Sequence, residues 1–111
     1  MRKTDDTRPL RVYICHPYAD APEENTAKVR EIARSLVSER LLPIAPHLYL
    51  PQLVDEATDR ALALRLCLDL VDICDEVWVH GGRVTAGMSQ EIAHATARGI
   101  PVRGVGTEVQ P

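Results

Sequence analysis

Apolar and polar positions follow two different periods along this chain, and these periods predict its strands and helices. Residues 10–15 form an apolar run rich in β-branched and aromatic side chains, which is typical of a strand. Apolar residues recur at intervals of three and four over residues 29–37, as on a helix with one face packed on a sheet. We predict that this helix begins near Asp20, which caps the first turn, with Glu23 completing the spacing of a capping box.

One segment carries both periods. Leucine occupies every second position from residue 62 to residue 70, and such alternation would suit a strand. The prevailing residues are leucine, alanine and arginine, which favour a helix and are not β-branched. Leu62, Leu66, Leu70 and Ile73 also form a helical stripe. We therefore predict a helix over residues 54–73; a strand at residues 62–70 would overturn the topology.

The remaining periodic segments complete an alternating order of strands and helices. We predict further strands at residues 42–45, 77–80 and 100–103, and a third helix at residues 87–98 that Gly99 ends. Helical crossovers between consecutive strands require parallel strands. The prediction is one α/β domain over residues 1–111, with irregular termini and a core at about 10–104. Its small parallel sheet of about four strands is flanked by helices, as in Rossmann or flavodoxin-like folds.

Composition and charge exclude several classes of protein. The net charge is −3 and no basic stripe is present, so duplex nucleic acid is not an expected partner. No apolar run approaches the roughly 20 residues that span a bilayer, and the first residues lack the apolar core of a signal peptide. We expect a cytoplasmic protein that does not bind membranes. Cys15, Cys67 and Cys74 include no C-x-x-C pair, so we expect reduced, mostly buried thiols rather than disulfides or zinc ligands.

Polar residues collect at the carboxyl ends of the predicted strands, where parallel sheets bind ligands. The segments concerned are residues 15–18, 46–47 and 80–82, together with the loop that leads to Glu91. Main-chain N–H groups of residues 85–89 would face an anion there. Glu91 would lie in the first or second helical turn, where the helix dipole favours its ionised form. Alternatively, this acidic residue only stabilises the helix terminus.

The other candidate residues have structural alternatives as well. Tyr13 either packs between sheet and helix or supports the site, and His47 either closes a turn or faces a ligand. His16 lies at a loop edge without a distinguishing partner. Glu91 and His94 share a helix face, but no further ligand has workable spacing, so we expect no metal and no cofactor. Serine and cysteine nucleophiles lack a visible base, which disfavours triad hydrolase chemistry.

With these residues in place, the chain resembles the nucleoside 2-deoxyribosyltransferase-like superfamily over about residues 11–103. It is most similar to the 2′-deoxynucleoside 5′-monophosphate N-glycosidases and to small phage and bacterial members of unknown function. The resemblance rests on the strand at residues 12–15, on His47 and on the pattern Thr85-x-Gly87-x-x-x-Glu91. It implies that Glu91 is the nucleophile, that Tyr13 supports it and that Thr85 contacts the phosphate.

The resemblance implies cleavage of the C–N glycosidic bond of a nucleoside or (deoxy)nucleoside 5′-monophosphate, in a homodimer or larger oligomer that completes its pockets across an interface. The expected substrate-binding residues are Thr85, Gly87, Met88, Ser89, His47, His16 and Asp72. The sequence departs from the superfamily at two positions: Cys67 replaces its second carboxylate, and Ala19 and Asp20 replace an arginine expected after the first strand.

Two points stay open at the level of sequence. Asp72, Asp69 and His47 are alternative proton donors to the leaving base. A non-catalytic module that binds nucleotides or nucleotide-derived signals, or a purely structural oligomeric protein, would use the same fold.

Overall fold

Four parallel strands form one sheet in a computed structural model that describes residues 7–105 of the chain. The strands are β1 (Leu10–Cys15), β2 (Leu41–Ile44), β3 (Glu76–Val79) and β4 (Val102–Gly104). Their order in the sheet is β2-β1-β3-β4, so β1 and β3 are the inner strands. The predicted α/β class with a small parallel sheet is confirmed.

Three α-helices connect these strands within the described residues: α1 (Pro22–Leu36), α2 (Arg60–Asp72) and α3 (Ala86–Ala97). Two short 3-10 turns, Pro46–Leu48 and Leu50–Gln52, lie between β2 and α2. The segment with alternating leucines is therefore helical, as predicted. None of the helices in the described part of the chain is long and apolar enough to cross a membrane.

The two faces of the sheet carry separate apolar clusters because side chains alternate along a strand. Tyr13 and Cys15 of β1 pack with residues of α2, α3 and β3, including Val71 and Met88. Ile14 points to the opposite face and packs against Val29 of α1. Helices thus cover both faces, and the buried apolar residues are aliphatic side chains, thiols, Met88 and Tyr13.

The register of the sheet brings the ends of the strands to one edge. Tyr13 lies opposite Ile44 of β2 and Val77 of β3. The loops that follow β1 and β3 are in close contact, since a Cβ atom at Gly81 would lie 2.7 Å from Cδ of Pro17. Gly81 also has a φ of 102°, which glycine adopts without strain. The segments predicted to converge at this edge do so.

Helix α2 begins at Arg60 rather than at residue 54. The reason is a local turn at Asp55, whose side chain accepts a hydrogen bond from the main-chain N–H of Ala57 at 2.9 Å. Such side-chain to main-chain bonds compete with helix formation. The leucine periodicity carries no information about this turn.

The predicted cap of α1 is also wrong. The helix begins after Ala21 without a side-chain cap, and Pro22 occupies its first turn. Asp20 instead accepts a hydrogen bond from the side chain of Asn25 at 2.9 Å and pairs with Arg83 of the loop after β3. Its carboxylate thus joins two loops. The predicted irregular termini are residues 1–9 and 105–111; residues 7–9 and 105 lie in no helix or strand, and the others lie outside the described residues.

Candidate functional site

A cavity of about 170 Å³ opens at the carboxyl edge of the sheet. The loop after β1, the first 3-10 turn, α2 and the start of α3 form its walls. Its polar and ionisable lining includes His16, Tyr18, His47, Glu56, Arg60, Cys67, Thr85 and Glu91. This volume is below the roughly 300–1,000 Å³ of most small-molecule pockets. The cavity therefore fits only part of a nucleotide.

Glu91 is the buried carboxylate of this cavity, with 8% of its surface exposed. The hydroxyl of Tyr13 donates a hydrogen bond to Oε2 at 3.0 Å, and the thiol of Cys15 donates to Oε1 at 3.3 Å. Tyr13 and Cys15 are two residues apart on β1 and therefore point to the same face of the sheet. One strand thus holds both carboxylate oxygens.

Burial raises the pKa of the Glu91 carboxyl above its ordinary value, while the hydrogen bonds from Cys15 and Tyr13 act in the opposite direction. This corrects the expectation that the helix dipole governs its ionisation. Glu91 lies in the second turn of α3, and the dipole effect falls off within the first turn. Burial and the charge of Glu91 raise the pKa of Tyr13 and of Cys15, so both groups remain protonated donors.

Glu91 makes the stability of the protein depend on pH. Its raised pKa in the folded state contributes stability that is fully present below the ordinary pKa of 4.5 and is lost as the pH rises through the folded value. We expect the Glu91→Gln variant, which has no such ionisation, to be at least as stable as the wild type near neutral pH. The advantage should disappear at about pH 4, where both states of the wild type are protonated. Thermal unfolding across this range measures it; a variant that is less stable by the same amount at every pH would contradict it.

The N-terminus of α3 forms another wall of the cavity. Thr85 is the N-cap, and its Oγ1 accepts a hydrogen bond from the N–H of Met88 at 3.3 Å. The N–H groups of Ala86 and Gly87, which also line the cavity, have no acceptor inside the helix. Ser89 lies on the exposed side of α3. The structure therefore brings Thr85, Gly87 and Met88 to the cavity, but not Ser89.

The two predicted histidines lie together at the cavity. The Nε2–H of His47 donates to the main-chain carbonyl of His16 at 2.9 Å, and Nδ1 is buried with no hydrogen-bond partner in residues 7–105. The Nδ1–H of His16 donates to the carbonyl of Pro17 at 2.8 Å. Burial lowers the pKa of both imidazoles. His47 is thus neutral and has its proton committed to the main chain, so it is poorly placed to protonate a leaving group.

Asp72 and Asp69 are not brought to Glu91. Asp72 pairs with Nε2 of His94 at 2.8 Å and with Arg98 at 3.6 Å, where α2 and α3 contact each other outside the cavity. Asp69 is exposed. His94 therefore faces Asp72 rather than Glu91. Among residues 7–105, no three His, Cys, Asp or Glu side chains are grouped as a metal site.

Glu56 and Arg60 line the cavity, although the sequence did not single them out. They form an ion pair of 3.3 Å between the turn that precedes α2 and the first residue of that helix. The only signal in the sequence is their spacing of four residues, which is common on exposed helix surfaces. Cys67 also lines the cavity, and burial raises the pKa of its thiol to about 11.

The fold and this site define a small parallel α/β domain with a buried, hydrogen-bonded carboxylate at the carboxyl edge of its sheet. Residues 10–105 match a family described as "Domain of unknown function (DUF7768)", and the chain belongs to that family. No curated protein matches the sequence.

Proposed function

We propose that the protein is an N-glycosidase-type enzyme that cleaves the C–N glycosidic bond of a nucleoside or (deoxy)nucleoside 5′-monophosphate. The observation that carries this proposal is Glu91, a buried carboxylate with both oxygens hydrogen-bonded, which borders a cavity at the ligand-binding edge of the sheet. The sequence resemblance to the nucleoside 2-deoxyribosyltransferase-like superfamily supports the same role for Glu91.

The chemistry requires a carboxylate beside the anomeric carbon. C–N cleavage passes through an oxocarbenium-like transition state, and a carboxylate either stabilises this positive charge or forms a glycosyl ester that water hydrolyses. Glu91 supplies that carboxylate. Tyr13 and Cys15 orient it from β1, because their hydrogen bonds allow little rotation of the carboxyl plane.

The same cavity offers an anion site for a 5′-phosphate. Thr85, Ala86, Gly87 and Arg60 all border it. Main-chain N–H groups at a helix N-terminus and an arginine are common phosphate ligands. The superfamily has a phosphate-binding arginine after its first strand, where this chain has Ala19 and Asp20. Arg60 would supply the positive charge of that arginine.

A non-catalytic nucleotide-binding module is the second candidate. The observation that favours it is Cys67, a protonated thiol at the position where the superfamily carries its second carboxylate. Such a protein would retain the cavity and the anion site without cleaving the bound nucleotide.

Chromatography of the products from a panel of nucleosides and deoxynucleoside monophosphates tests the proposal. Release of the free base supports the enzyme. Thermal stabilisation by a panel member without base release supports the binding module, because a ligand of the folded state stabilises by mass action. Neither effect with any panel member would favour the purely structural protein.

We also propose that the protein self-associates. Four exposed apolar side chains border a shallow groove beside the edge strand β2: Val37, Leu42, Tyr49 and Ile73. Contiguous apolar surface of this kind is typical of an interface.

We expect light scattering at high micromolar concentration to give at least a dimer mass, and Ile73→Asp to lower that mass. Val84→Asp, at an exposed position outside the groove, is the matched control; a monomeric wild type would refute self-association.

A further inference from the structure

The cavity at Glu91 continues into a second, more open groove of about 650 Å³. Residues 51–57, between the second 3-10 turn and α2, form most of its wall. The residues that line both spaces are Tyr18, Ala19, Pro51, Glu56 and Arg60. These residues therefore mark the boundary between the inner cavity and the outer groove.

Glu56 is the carboxylate at this boundary among the described residues. Glu91 lines only the inner cavity and Asp55 only the outer groove, whereas Glu56 lines both. The ion pair with Arg60 involves Oε1 of Glu56, and one third of the Glu56 side chain is exposed. The charge of Glu56 reaches the inner cavity, since it raises the pKa of the Glu91 carboxyl and of the Cys67 thiol.

A bound nucleoside would occupy both spaces, because of their volumes. The inner cavity is too small for a whole nucleotide, so the sugar and its 5′-phosphate would occupy it beside Glu91 while the base extends into the outer groove. The glycosidic nitrogen then lies at the boundary, which is where Glu56 lies.

We propose that Glu56 is the acid–base catalytic residue of this site and that the outer groove holds the leaving base. This inference rests on the proposed N-glycosidase function. It assigns to Glu56 the role for which Cys67, Asp69, Asp72 and His47 are chemically or spatially unsuited. Two carboxyl groups on opposite sides of the scissile bond are the arrangement that retaining glycoside hydrolysis uses.

The proposed cycle consumes one water molecule. In the first step, Arg60 leaves its ion pair with Glu56 to bind the 5′-phosphate, and Glu56 takes up a proton from water. Glu91 then attacks the anomeric carbon, the C–N bond breaks, and Glu56 transfers this proton to the departing nitrogen. In the second step, water attacks the anomeric carbon, Glu56 accepts a proton from that water, and the bond between the sugar and Glu91 breaks. The free base and the sugar, or the sugar 5′-phosphate from a nucleotide, leave, and Glu56 again carries a proton for the next turnover.

Glu56→Gln tests this inference, with Glu31→Gln as the matched control. Glu31 forms an exposed ion pair with Arg34 on α1, so its substitution removes a similar pair away from the site. We expect Glu56→Gln to reduce turnover of the best substrate by at least about 100-fold, the lower end of general acid–base contributions. Glu31→Gln should leave it unchanged.

The identity of the leaving group separates catalysis from a structural role. An N7-methylated purine nucleotide carries a positive charge on its base, which leaves without taking up a proton. The rate of the first step, measured as kcat/KM or as the initial burst of free base, should therefore fall less than about 10-fold in Glu56→Gln on this substrate, since that step needs no acid catalysis. For a pyrimidine substrate, turnover is instead measured as a function of pH in the wild type and in Glu56→Gln. The part of the pH dependence that the acid–base residue causes in the wild type should be absent from the variant. Equal losses of kcat/KM on the N7-methylated and the unmethylated purine nucleotide, or an unchanged pH profile, would overturn the inference.

The outcomes distinguish this inference from the proposed function. If the wild type releases no base from any panel member, the N-glycosidase function fails and the role of Glu56 fails with it. If Glu91→Gln abolishes base release and Glu56→Gln does not reduce it, the proposed function stands and only the acid–base role is refuted.

Discussion

Base release by the Glu91→Gln variant is expected to fall by at least about 10³-fold, equivalent to about 4 kcal/mol of transition-state stabilisation. Glutamine keeps the shape of the side chain but has neither the negative charge nor the nucleophilic oxygen. The fold should persist, because the amide is neutral and the groups around it, the Tyr13 hydroxyl and the Cys15 thiol, can still form hydrogen bonds. Chromatography of the released base, with circular dichroism of both proteins, provides the measurement.

Glu31→Gln serves as the control for this experiment as well, since it makes the same chemical change at an exposed position of α1. Turnover that survives in folded Glu91→Gln would discard the mechanism. If the wild type binds nucleotides without cleaving them, the effect of Glu91→Gln on ligand affinity instead measures the role of this carboxylate in a binding module.

Replacing Asp75 by alanine should cause the largest loss of stability, about 3 kcal/mol. Both oxygens of Asp75 accept hydrogen bonds from the guanidinium of Arg8 at 2.8 Å, and Oδ2 also accepts the main-chain N–H of Arg11 at 2.8 Å. The side chains of Asp75 and Arg8 are 6% and 19% exposed. Removing the carboxylate would leave a largely buried cation and a main-chain N–H without this acceptor.

Thermal unfolding would measure this loss as a fall in Tm of at least about 10 °C for a domain of this size. The Glu31→Gln variant should differ from the wild type by less than about 1 kcal/mol, because both members of its ion pair are exposed. An Asp75→Ala variant as stable as Glu31→Gln would show that the contact between the start of β1 and the start of β3 is energetically unimportant.

The strands and helices were predictable because their signals are local. Residues 10–15 contain β-branched and aromatic side chains in sequence, and the structure has β1 at Leu10–Cys15. Leucine, alanine and arginine predict the helical state of residues 62–70 through their intrinsic propensities. The start of α2 was not predictable from apolar periodicity, because the side chain of Asp55 forms a turn with the main chain there. The parallel direction of the strands follows from the helical crossovers between them, whereas the strand order β2-β1-β3-β4 is a property of the tertiary structure that the alternation of elements does not impose.

The amino-acid sequence by itself placed His16, His47, Thr85 and Glu91 at one edge of the sheet, because strand ends in a parallel sheet share one edge. It left open whether Tyr13 and the two histidines support a site or only pack there. Only the tertiary structure decided their chemistry. Burial of Glu91 against β1 raises its pKa, which the helix dipole alone would lower. The rotation of α2 turns Asp72 towards His94 and away from the cavity, while the turn before α2 brings Glu56 to it. These outcomes depend on how distant segments pack, since desolvation and side-chain direction are set by neighbours far away in the chain.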